Sequence, residues 1–328
     1  MHVRGRVLVT GAGGFIGHHL VGYLVDRGYW VRGADTRYPE YAKSAVHEFR
    51  LCDLRRGEAC RDVVRDMDYV YHLAANMGGI GFITVKKAEV VRDNTLMDIQ
   101  MLEAAVEHGV RRFLFASSAC VYPMRLQVAA AARPLRESDA YPADPEDGYG
   151  WAKLYTERAC RHYHEEFGLQ TRVVRLHNIF GPLGAYDGGR EKSPAALCRK
   201  TALADDGGEI EIWGDGEQTR SYCYISDCVE GLYRLMRSGH VHPINLGQAR
   251  LVTINQLTDM IEAISGKRLT RRYDPSRPQG VRSRSSDNTN LRRVLGWEPE
   301  VGLETGLAAT YAWIARELEH GPASLART

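Results

Sequence analysis

Tyr149 and Lys153 are four residues apart in a segment whose pattern is typical of the start of a helix. At that spacing the two side chains project from one helix face, one turn apart. A tyrosine hydroxyl has an unperturbed pKa of about 10, and a nearby ammonium favours its phenolate form. The pair is therefore a candidate general base with a cationic partner. Because Tyr-x-x-x-Lys arises by chance in many helices, it needs support from elsewhere in the chain.

That support comes from a glycine-rich turn near the N-terminus. Gly11, Gly14 and Gly17 follow an apolar run and precede a predicted helix, with the spacing GxxGxxG. A Cβ at such positions would block the tight turn, the approach of backbone to a pyrophosphate, or the packing of helix on strand. The helix N-terminus then supplies N–H donors to phosphates. The turn predicts a dinucleotide site.

Asp35 indicates which dinucleotide. It ends the next predicted strand, 18 residues after Gly17. An acidic side chain at this point is expected to hydrogen-bond the adenosine ribose and to repel a 2′-phosphate, so NAD is favoured over NADP. Arg37, two residues later, could hold a 2′-phosphate, and NADP is not excluded on these residues alone.

The elements that must position these residues alternate along the first half of the chain. Short apolar runs at Arg6–Thr10, 30–34, 69–73, 112–117 and 173–176 are separated by amphipathic segments, among them helices from about Gly14, over 95–108 and from about Gly148. Near-continuous apolar strands separated by helices predict an α/β fold with a doubly wound parallel sheet, similar to a Rossmann fold.

The domain organisation follows from where this alternation stops. We predict that residues 1–178 form mainly the dinucleotide-binding domain, with residues 221–250 returning to it. Gly- and Pro-rich loops after about Phe180 indicate a smaller C-terminal substrate domain, formed mainly by residues 179–220 and 251–318. Residues 319–328 are predicted to be a tail with little to bury.

Composition excludes several other classes of protein. The chain has 328 residues, 44% of them hydrophobic, and a net charge of +2, so no basic field predicts a nucleic-acid partner. The seven cysteines are irregularly spaced without CxxC, and no metal site is predicted. No signal-peptide pattern or membrane-spanning apolar stretch is visible, which favours a cytoplasmic protein with no membrane partner.

Over nearly all its length the chain resembles the extended short-chain dehydrogenase/reductase family. The motifs that carry this resemblance are TGAGGFIG at 10–17, CDLR at 52–55, HLAA at 72–75, Asn94, SSACVYP at 117–123, YGWAK at 149–153, RLHNIFGP at 175–182 and LGWEP at 295–299. The resemblance implies catalytic roles for Tyr149, Lys153 and Ser118, with Lys153 also holding the nicotinamide ribose. It adds further NAD-binding residues: Phe15, Ile16, Asp53, Leu54, Ala74 and Asn94.

Within that family, five stretches resemble the GDP-mannose 3,5-epimerases. They are AANMGGIGFI at 74–83, SSACVYP, GGREKSPAA at 188–196, WGDGEQTRS at 213–221 and GVRSRSSDN at 280–288. One departure is visible, since Asn76 stands where an acid is expected in the plant-type enzymes. The resemblance implies epimerisation of GDP-mannose at C5, or at C3 and C5, giving GDP-L-gulose, GDP-L-galactose or both.

Such a reaction needs a temporary carbonyl at C4, because only then are the hydrogens at C3 and C5 acidic enough to remove. Inversion also needs a base on one face of the ring and an acid on the other. Cys120 lies two residues after Ser118, and in an extended segment both side chains face the same side. A thiol whose pKa is lowered by nearby cations is a plausible base, and the resemblance places Lys192 as the opposing acid.

The remaining substrate contacts are expected from backbone freedom and charge. Glycines beside Met77 let backbone approach the sugar, and arginines suit a diphosphate. The predicted substrate-binding residues are Met77, Gly78, Gly79, Ser118, Asn178, Arg190, Lys192, Arg220 and Arg282, with Arg284 as a neighbour. Trp213 is predicted to lie in the core.

Two other functions stay open at this point. A nucleotide-sugar 4-epimerase or 4,6-dehydratase would use the same scaffold, although a dehydratase is expected to carry an Asp-Glu pair where Ala119 and Cys120 stand. A non-catalytic NAD-binding protein would have no need to keep Tyr149, Lys153 and Ser118. The resemblance also implies a homodimer that pairs the helices near 95–108 and 148–167.

Overall fold

A computed structural model describes residues 4–78, 85–129 and 133–320 of the chain. Its strands are β1 (Arg6–Thr10), β2 (Trp30–Asp35), β3 (Glu48–Leu51), β4 (Tyr69–His72), β5 (Arg112–Ser118), β6 (Gln170–Leu176), β7 (Ile179–Phe180), β8 (Glu209–Trp213), β9 (Thr219–Arg220), β10 (Cys223–Tyr224), β11 (Pro243–Leu246), β12 (Val252–Thr253), β13 (Thr270–Asp274) and β14 (Ser283–Arg284). Its helices are α1 (Phe15–Asp26), α2 (Gly57–Val64), α3 (Lys87–Glu107), α4 (Asp147–Phe167), α5 (Ser193–Leu203), α6 (Ile225–Arg237), α7 (Ile254–Ser265), α8 (Thr289–Leu295) and α9 (Leu303–His320).

Seven of these strands form one parallel sheet in the order β11-β6-β5-β4-β1-β2-β3. Along β1 the side chains alternate between two cores: Val7 and Val9 pack with α1 and α6 on one face, whereas Leu8 packs with α2, α3 and α4 on the other. Apolar strands covered by helices on both faces are what the sequence predicted, and the doubly wound fold is confirmed.

The sequence missed the edge of this sheet and underestimated one helix. Strand β3 has the sequence EFRL and lies at the edge of the sheet. Its last two residues are exposed. It therefore lacks the apolar run by which buried parallel strands are recognised. Helix α3, expected over 95–108, already begins at Lys87.

A second core lies under the C-terminal segments. Its buried side chains come mainly from α5, α7, α9 and β8, and β8 pairs in parallel with β13. Strand β11 returns to the large sheet, where Pro243 pairs with Val173. Trp213, expected in the core, is 38% exposed, so that prediction is wrong: it ends β8 at the surface. The domain boundaries themselves stay a prediction.

Helices α3 and α4 pack against one another and present large apolar side chains to solvent. These are Val91 and Leu96 on α3 and Trp151 and Tyr155 on α4. Within the described ranges, no helix has the length and apolar character needed to cross a membrane.

Candidate active site

A cavity of about 600 Å³ opens where the parallel strands end. This is the place where open α/β sheets bind ligands, because loops diverge there and helix N-termini point inward. Many of the predicted site residues line it, although they come from segments far apart in the chain. They are Gly11, Gly14, Phe15, Ile16, Gly17, Asp35, Asp53, Leu54, Ala74, Met77, Ser118, Tyr149, Asn178, Arg190 and Lys192.

Other predicted residues do not belong to the described wall of this cavity. They are Gly78, Asn94, Cys120, Lys153, Arg220 and Arg282, whereas Gly79 lies outside the described residues. Asn94 is fully buried and holds the chain that forms the wall: its side chain accepts from the Asn76 N–H at 2.9 Å and donates to the Asn76 carbonyl at 3.0 Å.

The glycine-rich turn fits a dinucleotide. Gly11 has φ +70°, and a Cβ there would lie 2.9 Å from the backbone nitrogen of Ala74. A Cβ on Gly17 would lie 2.1 Å from the Gly11 carbonyl oxygen, so helix and turn touch backbone to backbone. Helix α1 begins at Phe15 without a side-chain cap, and this leaves its first N–H groups to a bound anion. Asp35 accepts from the Gly13 N–H at 3.0 Å and borders the same cavity.

Tyr149 and Lys153 both lie on α4, as the sequence predicted, but their surroundings differ from expectation. Burial, followed by the charges of Cys120 and Asp98, raises the pKa of the Tyr149 hydroxyl far above its usual value. Burial also lowers the pKa of the Lys153 ammonium, against the attraction of Asp98. Without a cofactor, burial therefore holds Tyr149 protonated, and it stays a prediction that neighbouring positive charges favour its phenolate once NAD is bound.

Ser118 and Cys120 meet in another geometry than the one expected. Ser118 ends β5, and Ala119–Val121 form a 3₁₀ turn, so the assumption of a continuous extended segment is wrong. The turn nevertheless keeps both residues near one another, since the Cys120 N–H donates to the Ser118 hydroxyl at 3.2 Å. A Cβ on Gly150 would lie 2.2 Å from the Cys120 carbonyl oxygen, so only glycine lets α4 approach this turn so closely.

The thiol of Cys120 is buried in a small apolar cluster and lies beside the guanidinium of Arg284. It packs with Val90 and Tyr149, and Met77 covers this cluster. A guanidinium nitrogen of Arg284 lies 3.7 Å from the sulfur, and another donates to the Glu146 carboxylate at 2.6 Å. Burial raises the pKa of the thiol more than Arg284 lowers it. The expected net lowering by cations is therefore wrong.

Lys192 is far from Cys120 in the sequence, but the charges of the two side chains influence each other. It is the N-cap residue of α5, and its side chain is exposed to the cavity. The surrounding walls still desolvate it, and this lowers the pKa of its ammonium, while the charge of Cys120 acts in the opposite direction as the next largest influence. The two groups that the resemblance pairs are thus close enough to interact.

The predicted diphosphate-binding residues divide into one that lines the cavity, Asn178, and two that do not, Arg220 and Arg282. Asn178 lines the cavity with φ +42°, and its amide donates to the Ser221 carbonyl at 2.9 Å. Arg220 donates to the backbone carbonyl of Gln279 at 3.1 Å, and burial, together with Arg284, lowers its pKa to about 10. Arg282 pairs with Asp215 at 2.8 Å and is partly exposed.

Sequence reasoning missed three charged residues of this region. Arg284 was noted as a neighbour of a phosphate contact, not as the partner of a thiol. Glu146 precedes Tyr149 by three residues, and Asp98 follows Asn94 by four, so helical spacing was a usable signal for both. Among the described residues, no group of three or more His, Cys, Asp or Glu side chains is arranged to hold a metal ion.

This chain is similar to known proteins over nearly its whole length. Residues 7–247 match the model of the NAD dependent epimerase/dehydratase family. GDP-mannose 3,5-epimerase 1 of Oryza sativa subsp. indica is 44% identical over 96% of this chain and 82% of its own length. UDP-glucose 4-epimerase of Thermotoga maritima, solved with UDP-glucose, superposes with a TM-score of 0.85 at 29% identity, over 95% of this chain and 99% of its own. UDP-glucose 4-epimerase of Thermus thermophilus, solved with NAD, gives 0.81 at 25% identity, over 94% and 98%. The chain belongs to the NAD dependent epimerase/dehydratase family.

Proposed function

We propose that this enzyme epimerises GDP-mannose at C5, or at C3 and C5, through a transient carbonyl at C4. The observation that carries the proposal is the arrangement around the cavity: Ser118 and Tyr149 line it, Cys120 packs directly behind Tyr149, and Lys192 faces the same space. A simple exchange at C4 needs no thiol and no second ammonium. The rice relative, which is named for this reaction, aligns over 96% of the chain.

The cofactor is NAD, which takes the C4 hydride when bound and later returns it. The turn at Gly11, Gly14 and Gly17 would hold its pyrophosphate, and Asp35 would accept from the adenosine ribose. Asp53, Leu54 and Ala74 border the same part of the cavity.

Tyr149 and Ser118 handle the proton of the C4 hydroxyl. The Tyr149 oxygen accepts this proton as the bond to hydrogen at C4 breaks, and Ser118 hydrogen-bonds the same sugar oxygen. Because the protein alone keeps Tyr149 protonated, its phenolate has to be stabilised by the positive charge that the cofactor brings.

Cys120 and Lys192 move the protons that change configuration. In our proposal the Cys120 sulfur removes the proton next to the C4 carbonyl, and the Lys192 amine delivers one from the other side of the ring. Burial lowers the pKa of the Lys192 ammonium towards the working pH, where an acid is most effective, whereas it raises that of the Cys120 thiol. The positive charge of Arg284 beside the sulfur is what favours the thiolate.

We propose that both sets of residues described above bind the substrate. Asn178 and Arg190 already border the cavity, where they can meet a diphosphate. Arg282 would have to leave Asp215 to do so, and Arg220 would have to release backbone carbonyls. Both side chains would therefore have to give up their present partners in order to bind the substrate.

We further propose a homodimer that pairs α3 and α4 with their counterparts. The exposed side chains Val91, Leu96, Trp151 and Tyr155 support it, because apolar groups of this size on packed helices are commonly covered in an assembly. Sedimentation of the holoenzyme at micromolar concentration tests it, and a monomer under these conditions would contradict it. Cytoplasmic location stays a prediction of the sequence.

Incubation with GDP-mannose in D₂O tests the reaction directly. Deuterium at C5 alone, or at C3 and C5, is the expected result, because each inverted carbon takes its new proton from groups that exchange with solvent. Inversion at C4 without deuterium incorporation would instead identify a 4-epimerase, since the hydride is returned from the cofactor. Loss of water from the sugar would identify a dehydratase.

A further inference from the structure

We propose that Asp98 is a positioning residue, which keeps the ammonium of Lys153 charged and ties it through His72 and Thr10 to the glycine-rich turn. The proposal rests on the proposed function, because Asp98 would act only through Lys153. Asp98 itself is fully buried on α3 and does not border the cavity.

The proton order in this network begins at Thr10, the residue before Gly11. Its hydroxyl oxygen accepts from the backbone N–H groups of Leu73 and Ala74, both at 3.1 Å. A hydroxyl has two acceptor sites and one proton, so both acceptor sites are used and the proton must go elsewhere. It lies 2.8 Å from Nδ1 of His72, which therefore accepts.

The tautomer of His72 follows from that assignment. With Nδ1 accepting, the ring carries its hydrogen on Nε2, which donates to Oδ1 of Asp98 at 2.9 Å. The side chains of His72 and Asp98 are both 0% exposed. The histidine thus orients the carboxylate through this hydrogen bond.

The charge that balances Asp98 comes from Lys153. Oδ2 of Asp98 accepts from the Thr156 hydroxyl at 2.9 Å and lies 3.7 Å from Nζ of Lys153. Burial alone would raise the pKa of Asp98, but Lys153 and then His72 outweigh it and hold the pKa below its usual range. A buried carboxylate and a buried ammonium are each costly alone, so each depends on the other.

The other groups around Lys153 do not replace this partner. The ring of Phe115 on β5 lies 4.5 Å from Nζ, and Tyr149 on the same helix lies 5.9 Å away. Glu157 and Cys160, also on α4, act on Lys153 more weakly than Asp98 does. At 3.7 Å the contact with Asp98 is electrostatic, because it is longer than a hydrogen bond.

Asp98→Asn is the direct test, read by ¹³C NMR of enzyme labelled at lysine Cε and by the pH profile of turnover. The near-isosteric amide removes the charge, so we expect the Lys153 titration to fall by about 1 to 3 pH units. The pH at which turnover is lost on raising the pH should fall by the same amount. Lowering the pH should restore kcat, and the KM for GDP-mannose should change little. An unchanged Lys153 titration would overturn the proposal.

Asp227→Asn is the matched control. Asp227 is also a buried carboxylate, but it accepts only from the backbone of Glu300 and Val301. The Asp227→Asn variant should lower the stability of the enzyme without shifting the titration of Lys153. A shift as large as that of Asp98→Asn would mean that loss of any buried carboxylate has this effect, and the proposal would be wrong.

Unfolding measurements cover the case in which Asp98→Asn folds poorly. Lys153→Met and Asp98→Asn should each destabilise the enzyme at neutral pH, and the double variant should be more stable than the sum of the two effects predicts. Additive effects would overturn the pairing. If the wild-type enzyme does not turn over GDP-mannose, the proposed function fails, yet the titration and the unfolding cycle still decide the role of Asp98.

Discussion

The two sides of the active-site cavity are specified in different ways. On the cofactor side, Gly11, Gly14 and Gly17 lie within seven consecutive residues and act through their backbone. On the acid/base side, Cys120 and Lys192 come from separate loops and act through side chains whose pKa values depend on burial. A site formed by backbone is thus local in the sequence, whereas a site formed by side chains with shifted pKa values is not.

Cys120→Ala tests the acid/base side most severely. We expect loss of deuterium incorporation by about 10²- to 10⁴-fold, the usual value of a positioned acid or base, while NAD remains bound. Cys198→Ala is the control, since Cys198 is also buried but belongs to the second core. Mass spectrometry of the product measures both, and undiminished exchange in Cys120→Ala would remove the thiol from the mechanism.

Gly17→Ala tests the cofactor side. The new Cβ would lie 2.1 Å from the Gly11 carbonyl oxygen, so helix and turn must separate. We expect destabilisation by about 1–3 kcal/mol and loss of bound NAD. Gly22→Ala on the same helix meets no atom within 4 Å and should keep full NAD content. Equal NAD content in the two purified variants would show that the turn does not need this close contact.

Arg284→Met and Glu146→Gln should move the pH profile in opposite directions. A thiol acting as a base must lose its proton, and Arg284 lowers its pKa whereas Glu146 raises it. Removing Arg284 should shift the acidic limb of kcat to higher pH by about 1 unit or more, and removing Glu146 should shift it to lower pH. Shifts of the same sign would mean that both substitutions act only through altered packing.

Arg282→Ala separates substrate binding from surface pairing. If Arg282 leaves Asp215 to bind diphosphate, KM should rise about 10-fold, equivalent to roughly 1.4 kcal/mol, with kcat unchanged. A partly exposed ion pair by itself contributes only about 0.2–1 kcal/mol to stability. Asp215→Asn frees the same guanidinium and should leave KM unchanged or lower it. An unaltered KM in Arg282→Ala would restrict this arginine to the surface pair.

The sequence predicted the buried strands of the sheet and the helices that cover them, and it predicted the glycine-rich turn at the end of β1. It failed where tertiary surroundings decide. The thiol of Cys120 was expected to have a lowered pKa, because a sequence shows that cations exist but not how much water a group loses. The 3₁₀ turn after Ser118 was missed for a related reason: Gly150, 30 residues away, is what lets α4 press against it.

The backbone at the start of α5 limits which acid this chain could use. Lys192 is its N-cap residue, so its backbone lies at the positive end of the helix dipole. That field weakens the hold of an ammonium on its proton and makes it a more ready donor. A carboxylic acid at position 192 would experience the reverse effect, because the same field would stabilise its anion, which has no proton to donate. Replacement of this lysine by glutamate should therefore yield an inert enzyme, even though both side chains count as acids.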